Sequence, residues 1–130
     1  YKPYHGAISA LSVKKQPRLV FSIHSFNPTY EGQTREMEVG LLFDEVGEEL
    51  GRKIVEMMRA DGIVAEENQP WSGRGELLHA ARIHAVEQQQ IEGAPQAIPL
   101  MIEVRNDVLQ NQSRHQEIVT SLCNALEKLV

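Results

Sequence analysis

The chain has 130 residues, which is enough for one domain with a substantial core. Hydrophobic residues make up 42% of it and charged residues 24%, a composition typical of globular domains that argues against disorder. The formal net charge of −5 makes nucleic acid a poor candidate partner. No apolar run approaches the roughly 18 residues that a membrane helix requires, so we expect no membrane association.

A single cysteine excludes an internal disulfide and a metal site built from several cysteines. Cys123 lies in the apolar stretch SLCNAL, where we expect a buried, unreactive thiol. The chain begins with Tyr1 and not with Met, so we expect further residues upstream of it in the natural protein. Cytoplasmic localisation is the default expectation.

Predicted helices and strands alternate along the chain. Apolar spacing and stop signals predict helices over residues 4–15, 48–60, 76–90 and 112–129. Apolar runs rich in β-branched residues predict strands over residues 18–24, 39–43, 63–65 and 98–105. Two long polar segments, 25–38 and 66–75, are predicted loops. This order indicates an α/β fold with a mainly parallel sheet flanked by helices.

Binding sites in such sheets lie beyond the carboxyl ends of the strands. His24 ends the first predicted strand, and Asn68 follows the third. Glu103 and Arg105 close the fourth. These polar residues are therefore candidates for a site at one edge of the sheet.

The pattern alone leaves two interpretations of His24 and of Glu103. A histidine at a strand end is either a hydrogen-bonded structural residue or a ligand, since neutral imidazole binds zinc well. A glutamate in an apolar strand must be paired or have a chemical role, because burying a carboxylate is costly. Glu103 is therefore either in an ion pair with Arg105 or a lysine, or a general base.

Several ordered motifs resemble the N-formylglutamate amidohydrolase family across most of the chain. A more distant likeness reaches the zinc carboxypeptidases, which have a similar SIHS strand and a similar ELR strand. The resemblance implies a hydrolase-like fold of the zinc exopeptidase type, with residues 1–130 as the C-terminal, incomplete part of one domain. The matching motifs are PYHGAI, SIHSFNP, GQTR, EVGLLFD, ENQPWSG and IEVRND.

The family resemblance also implies roles for individual residues. His24 matches the third zinc ligand. Glu103 matches the general base, which takes a proton from the attacking water and passes it to the departing amine. Arg35 matches an arginine suited to a substrate carboxylate, which a planar guanidinium can bind bidentately.

Two further groups of residues complete this implied site. Asn68, Ser72 and Gly73 match a loop that borders the substrate. Arg105 is a second candidate for contact with a carboxylate. Arg74 is better explained as a solvated cation of the loop.

Zinc is the implied cofactor, but its ligand set is incomplete in this sequence. Catalytic zinc usually takes three protein ligands, and the first two in this family precede the matching region. His79 and His84 are five residues apart on one predicted helix and form an unpromising pair, whereas His5 could line the site. We expect the other ligands upstream of this chain, which alone should be inactive.

Three functions remain open. The first is zinc-dependent hydrolysis of the amide bond of an N-acyl acidic amino acid, with N-formyl-L-glutamate as the expected small anionic substrate. The second is a zinc peptidase or amidase of similar fold. The third is a non-catalytic binding domain that has lost the metal site. The sequence does not indicate an oligomeric state.

Overall fold

The computed structural model describes residues 2–89 and 91–130. The helices are α1 (Lys2–Lys15), α2 (Glu48–Ala60), α3 (His79–Gln89), α4 (Asn106–Gln110) and α5 (Gln112–Leu129). The strands are β1 (Leu19–Phe26), β2 (Thr29–Tyr30), β3 (Gln33–Thr34), β4 (Val39–Leu42), β5 (Ala65–Glu67) and β6 (Ile98–Arg105). A short 3₁₀ turn, Glu76–Leu78, leads into α3.

The main sheet has the strand order β1-β6-β4-β5 and is flanked by helices, which confirms the α/β class. The β1–β6 and β4–β5 pairs are parallel, whereas β4 runs antiparallel to β6. The sheet is therefore mixed but mostly parallel. A separate antiparallel hairpin, β2–β3, occupies part of the predicted loop after β1.

The core has a larger and a smaller part, one for each face of the sheet. On one face, Val39 and Leu41 of β4 and Ile102 of β6 pack with apolar side chains of α2 and α5. On the other face, Leu42 and Met101 pack with residues of the turn and α3. Strand β6 is buried on both faces along most of its length, which explains its continuous apolar sequence.

Glu38, directly before β4, connects the sheet to α5. Its carboxylate accepts hydrogen bonds from Arg114 Nε at 2.7 Å and Nη2 at 2.6 Å, and from the Val64 amide at 3.0 Å. The hydrogen bond from Arg114 is the main reason why the pKa of Glu38 lies below its usual value, against the opposing effect of burial. This buried carboxylate is fully paired.

Several sequence predictions hold to the residue and others do not. The predicted helices 48–60 and 112–129 and the predicted strand 98–105 have the observed bounds. The predicted strand 63–65 is wrong by two residues, because Ile63 packs in the core before β5 begins at Ala65. Cys123 is exposed, contrary to expectation. The predicted end of the third helix, residue 90, lies outside the described residues.

The mixed sheet also corrects the prediction that all candidate residues follow strand ends at one edge. Because β4 and β5 run opposite to β6, the end of β5 lies toward the beginning of β6. Asn68 follows Glu67, which is level with Ile102, so it does not lie at the carboxyl end of β6 with Arg105, although the loop after it folds back over Gly40. Among the described residues, none of the helices has both the length and the apolar character needed to cross a membrane.

Candidate active site

His24, Glu103 and Gly40 form one row across three neighbouring strands. Glu103 is directly paired with His24 of β1 and with Gly40 of β4. Directly paired residues project their side chains to the same face of a sheet. The row therefore places an imidazole next to a carboxylate, with a residue that has no side chain on the other side of the carboxylate.

Glu103 is the buried carboxylate without a full set of partners. Its side chain is 3% exposed, and its Oε2 is buried with no hydrogen-bond partner among the described residues. Burial raises the pKa of this carboxyl group, and the nearby charge of His24 opposes that effect. Such a group accepts a proton more readily than an exposed carboxylate does, as a general base requires.

The structural alternative for Glu103, an ion pair with Arg105 or a lysine, is wrong. No ion pair within the described parts of the chain includes Glu103, and Arg105 has other partners. The Arg105 Nε donates to Asp107 at 2.7 Å, and its Nη1 donates to the backbone oxygens of Arg35 at 2.7 Å and Glu36 at 3.0 Å. Arg105 thus holds the backbone of the segment that carries Arg35. Most of the N–H donors of the Arg105 guanidinium are occupied by these hydrogen bonds.

His24 is exposed at the free edge of the sheet and lines a cavity of about 260 Å³. Within residues 2–89 and 91–130, no group of three His, Cys, Asp or Glu side chains could hold a metal ion. The described residues thus offer His24 as one nitrogen ligand and do not form a zinc site by themselves.

His84, considered from the sequence only as an unpromising partner of His79, lines the same cavity and is buried. His5 Nδ1 lies 2.9 Å from His84 Nε2, and Glu87 Oε2 lies 3.0 Å from His84 Nδ1. His5 therefore pairs with His84 between α1 and α3. The signal for burial was present: His84 lies three residues after Ala81, on the inner face of α3.

The loop of residues 68–73 folds over the sheet beside Glu103. Asn68 has a positive φ of 49°, and its Oδ1 accepts hydrogen bonds from the amides of Phe43 at 3.1 Å and Gly73 at 2.9 Å. A Cβ on Gly40 would clash with the carbonyl of Gln69, so glycine permits this close approach.

The other predicted members of this loop have different environments. Gly73 is buried against the backbone of Phe43, where a Cβ would clash. Ser72 is exposed, and its hydroxyl accepts a hydrogen bond from the Arg74 amide at 3.2 Å. Asn68 and Gly73 therefore shape the loop, and Ser72 is the member whose side chain is open to a ligand.

Arg35 lies at the carboxyl end of β1, over the ring of Phe26. Phe26 follows His24 by two residues and projects to the same face, so Phe26 lies roughly 7 Å further along the strand than the His24–Glu103 row, with Arg35 against its ring. The groove beside Arg35 has a volume of about 380 Å³. A larger depression of about 720 Å³ lies along α5, and none of the candidate residues lines it.

Comparison with known proteins identifies a family and a similar solved structure. The family described as N-formylglutamate amidohydrolase matches residues 1–110. The fold resembles the crystal structure of gene product Atu2144 from Agrobacterium tumefaciens, with a TM-score of 0.74 and 25% sequence identity. The similarity covers 98% of this chain and 51% of that one, so this chain spans about half its length. Among curated proteins, none matches significantly.

Proposed function

The chain belongs to the N-formylglutamate amidohydrolase family, and we propose that it supplies the general base and an anion-binding arginine for hydrolysis of an N-acyl acidic amino acid. The family supports hydrolysis of an amide bond. The observation that carries the proposal for this chain is Glu103, a buried carboxylate with one oxygen unpartnered, directly beside His24.

In the proposed reaction, Glu103 accepts a proton from the attacking water and later donates it to the departing amine. Its raised pKa, caused by burial, suits both steps. His24 lies beside Glu103, and we propose that its imidazole nitrogen is one of the metal ligands. Zinc binding is part of the proposal, and it requires ligands beyond those described here.

The proposed substrate is N-formyl-L-glutamate. Arg35 lies against Phe26, which is two residues beyond His24 along β1, so a substrate whose carboxylate binds Arg35 would extend from there toward the His24–Glu103 row. A guanidinium with free N–H groups is the group best suited to a carboxylate. The exposed hydroxyl of Ser72 and the 68–73 loop border the same face.

The test is a substrate panel with the full-length protein. We expect formate release from N-formyl-L-glutamate at a kcat/KM well above that for short unmodified peptides. Glu103→Gln should reduce turnover by a factor of roughly 10² to 10⁴, because a general base contributes about that much to the rate. A Glu103→Gln variant with near-wild-type turnover would show that the assigned base is wrong, and faster peptide cleavage would favour a peptidase.

A further inference from the structure

Three aromatic rings surround the guanidinium of Arg35. Its Cζ lies 4.8 Å from the ring centroid of Tyr30, 5.5 Å from that of Phe26 and 5.6 Å from that of Trp71. Tyr30 and Trp71 also contact each other edge to face, with centroids 6.3 Å apart and an interplanar angle of 86°. We name Phe26, Tyr30 and Trp71 the aromatic cage.

The cage joins separate parts of the chain around one cation. Phe26 ends β1, Tyr30 belongs to the β2–β3 hairpin, and Trp71 belongs to the 68–73 loop. Phe26 is buried, whereas Tyr30 and Trp71 are about half exposed. The cation therefore connects the hairpin and the loop that border the candidate site.

The cage holds Arg35 without using its hydrogen-bond donors. Attraction to an aromatic face depends on the ring quadrupole and leaves in-plane N–H groups available. The guanidinium donates one long hydrogen bond, from Nη1 to the backbone oxygen of Asn27 at 3.3 Å. No carboxylate in the described parts of the chain lies within ion-pair distance of it, in contrast to the well-bonded Arg105.

We propose that Tyr30 and Trp71 are positioning residues that hold Arg35, with its donors free, as the subsite for a ligand carboxylate. This inference rests on the proposed function for the choice of ligand class. The rings also exclude water from part of the guanidinium, which strengthens its attraction to an anion. Loss of either ring should weaken carboxylate binding without removing the charge.

The groove beside Arg35 also contains two acidic residues. Glu66 is paired with Arg59 at 3.1 Å, which offsets its charge. Glu36 is exposed in the same groove and supplies a matched control. Glu36→Gln removes a negative charge next to Arg35 without touching the cage, so it should leave carboxylate binding unchanged or strengthen it slightly.

Trp71 is the single tryptophan of the chain, so its emission reports on the cage directly. The experiment titrates glutarate, an unreactive dicarboxylate, and its uncharged diamide into the protein and follows tryptophan emission and calorimetry. We expect saturable binding of glutarate, weakened by salt, and no binding of the diamide. Arg35→Gln should weaken binding at least about 10-fold, the loss expected for a charged hydrogen-bonded contact.

Substitutions in the cage then separate a positioning role from a merely structural one. Tyr30→Leu and Trp71→Leu should each weaken glutarate binding by about 3- to 10-fold, as expected for loss of a cation–π contact. Tyr30→Phe and Trp71→Phe should retain most of the wild-type affinity for glutarate, because an aromatic ring remains at each position. Calorimetry measures the Trp71 variants, and thermal melts verify that all variants fold.

The outcomes distinguish this inference from the proposed function. Wild-type affinity in both leucine variants, or no glutarate binding by the wild-type protein, overturns the inference. Phenylalanine variants as weak as the leucine variants also overturn it. Glutarate binding with the expected pattern, together with no formate release by the full-length protein, upholds the cage and rejects the proposed function.

Discussion

Glu38 and Glu103 are both buried glutamates near the same edge of the sheet, but their surroundings differ. Arg114 and the Val64 amide satisfy Glu38, and its pKa is lowered. Glu103 has an unpartnered oxygen, and burial raises its pKa. Removing one member of a buried ion pair is costly because it leaves the other charge unpaired, whereas an unpaired buried carboxylate itself lowers stability and is retained where its chemistry is used. The two residues therefore predict opposite mutational profiles.

The largest expected contrast comes from converting each glutamate to glutamine. Glu103→Gln should reduce turnover of the full-length protein by roughly 10²- to 10⁴-fold and change the free energy of unfolding by less than about 1 kcal/mol. Glu38→Gln should retain most turnover and lower the free energy of unfolding by about 2 kcal/mol, because Arg114 loses its charged partner.

Urea unfolding followed by circular dichroism, together with formate assays, measures both effects. Glu117→Gln is the control for Arg114, because Glu117 is its exposed partner and should contribute little. Equal loss of stability in the Glu38 and Glu103 variants would remove the distinction between the two carboxylates.

The second-largest effect is expected at Gly40, where the 68–73 loop packs closely over β4. Gly40→Ala introduces a Cβ against the Gln69 carbonyl and should lower the free energy of unfolding by about 1–3 kcal/mol, because backbone must shift. Turnover should also fall, since the displaced loop borders Glu103. Gly6→Ala is the control: its Cβ meets open space in α1, where alanine should stabilise the helix by up to about 1 kcal/mol. A Gly40→Ala variant as stable as wild type contradicts the close approach.

The pH dependence of stability also tests whether Glu38 is the paired carboxylate. Because the pKa of Glu38 is lower in the folded than in the unfolded state, its stabilisation is complete above the unfolded value of about 4.3 and is lost as pH falls through the folded value. The urea midpoint of the wild-type protein should therefore decrease below about pH 4 more steeply than that of Glu38→Gln. Parallel curves for the two proteins would argue against this linkage.

The smallest effect is expected for Arg74. It lies 3.3 Å from Glu45 and 3.6 Å from Glu48, and its side chain is 59% exposed. Exposed ion pairs of this kind contribute little, so Arg74→Gln should change the free energy of unfolding by less than about 0.5 kcal/mol and leave glutarate binding intact. A loss of glutarate binding comparable to that of Arg35→Gln would assign Arg74 to the site.

The sequence predicted long elements well and the shape of the site poorly. The helix 48–60 and the strand 98–105 follow from local periodicity and apolar content, which the fold preserves. The position of Asn68 away from the carboxyl end of β6 did not follow, because strand direction depends on pairing between distant segments. The cage around Arg35 combines residues from β1, the hairpin and the 68–73 loop, and no local pattern joins them.

The α/β class, the family resemblance and the selection of Glu103 as a charged residue in an apolar strand all followed from the amino-acid sequence. Whether that carboxylate has a hydrogen-bonding or charged partner depends on the tertiary structure. Glu103 remains partly unpartnered because Arg105, two residues away, is bonded to Asp107 and to the 35–36 backbone. Glu38 is satisfied by Arg114, 76 residues along the chain. Burial and ion pairing depend on which residues the fold brings together. Two glutamates can therefore have pKa values shifted in opposite directions.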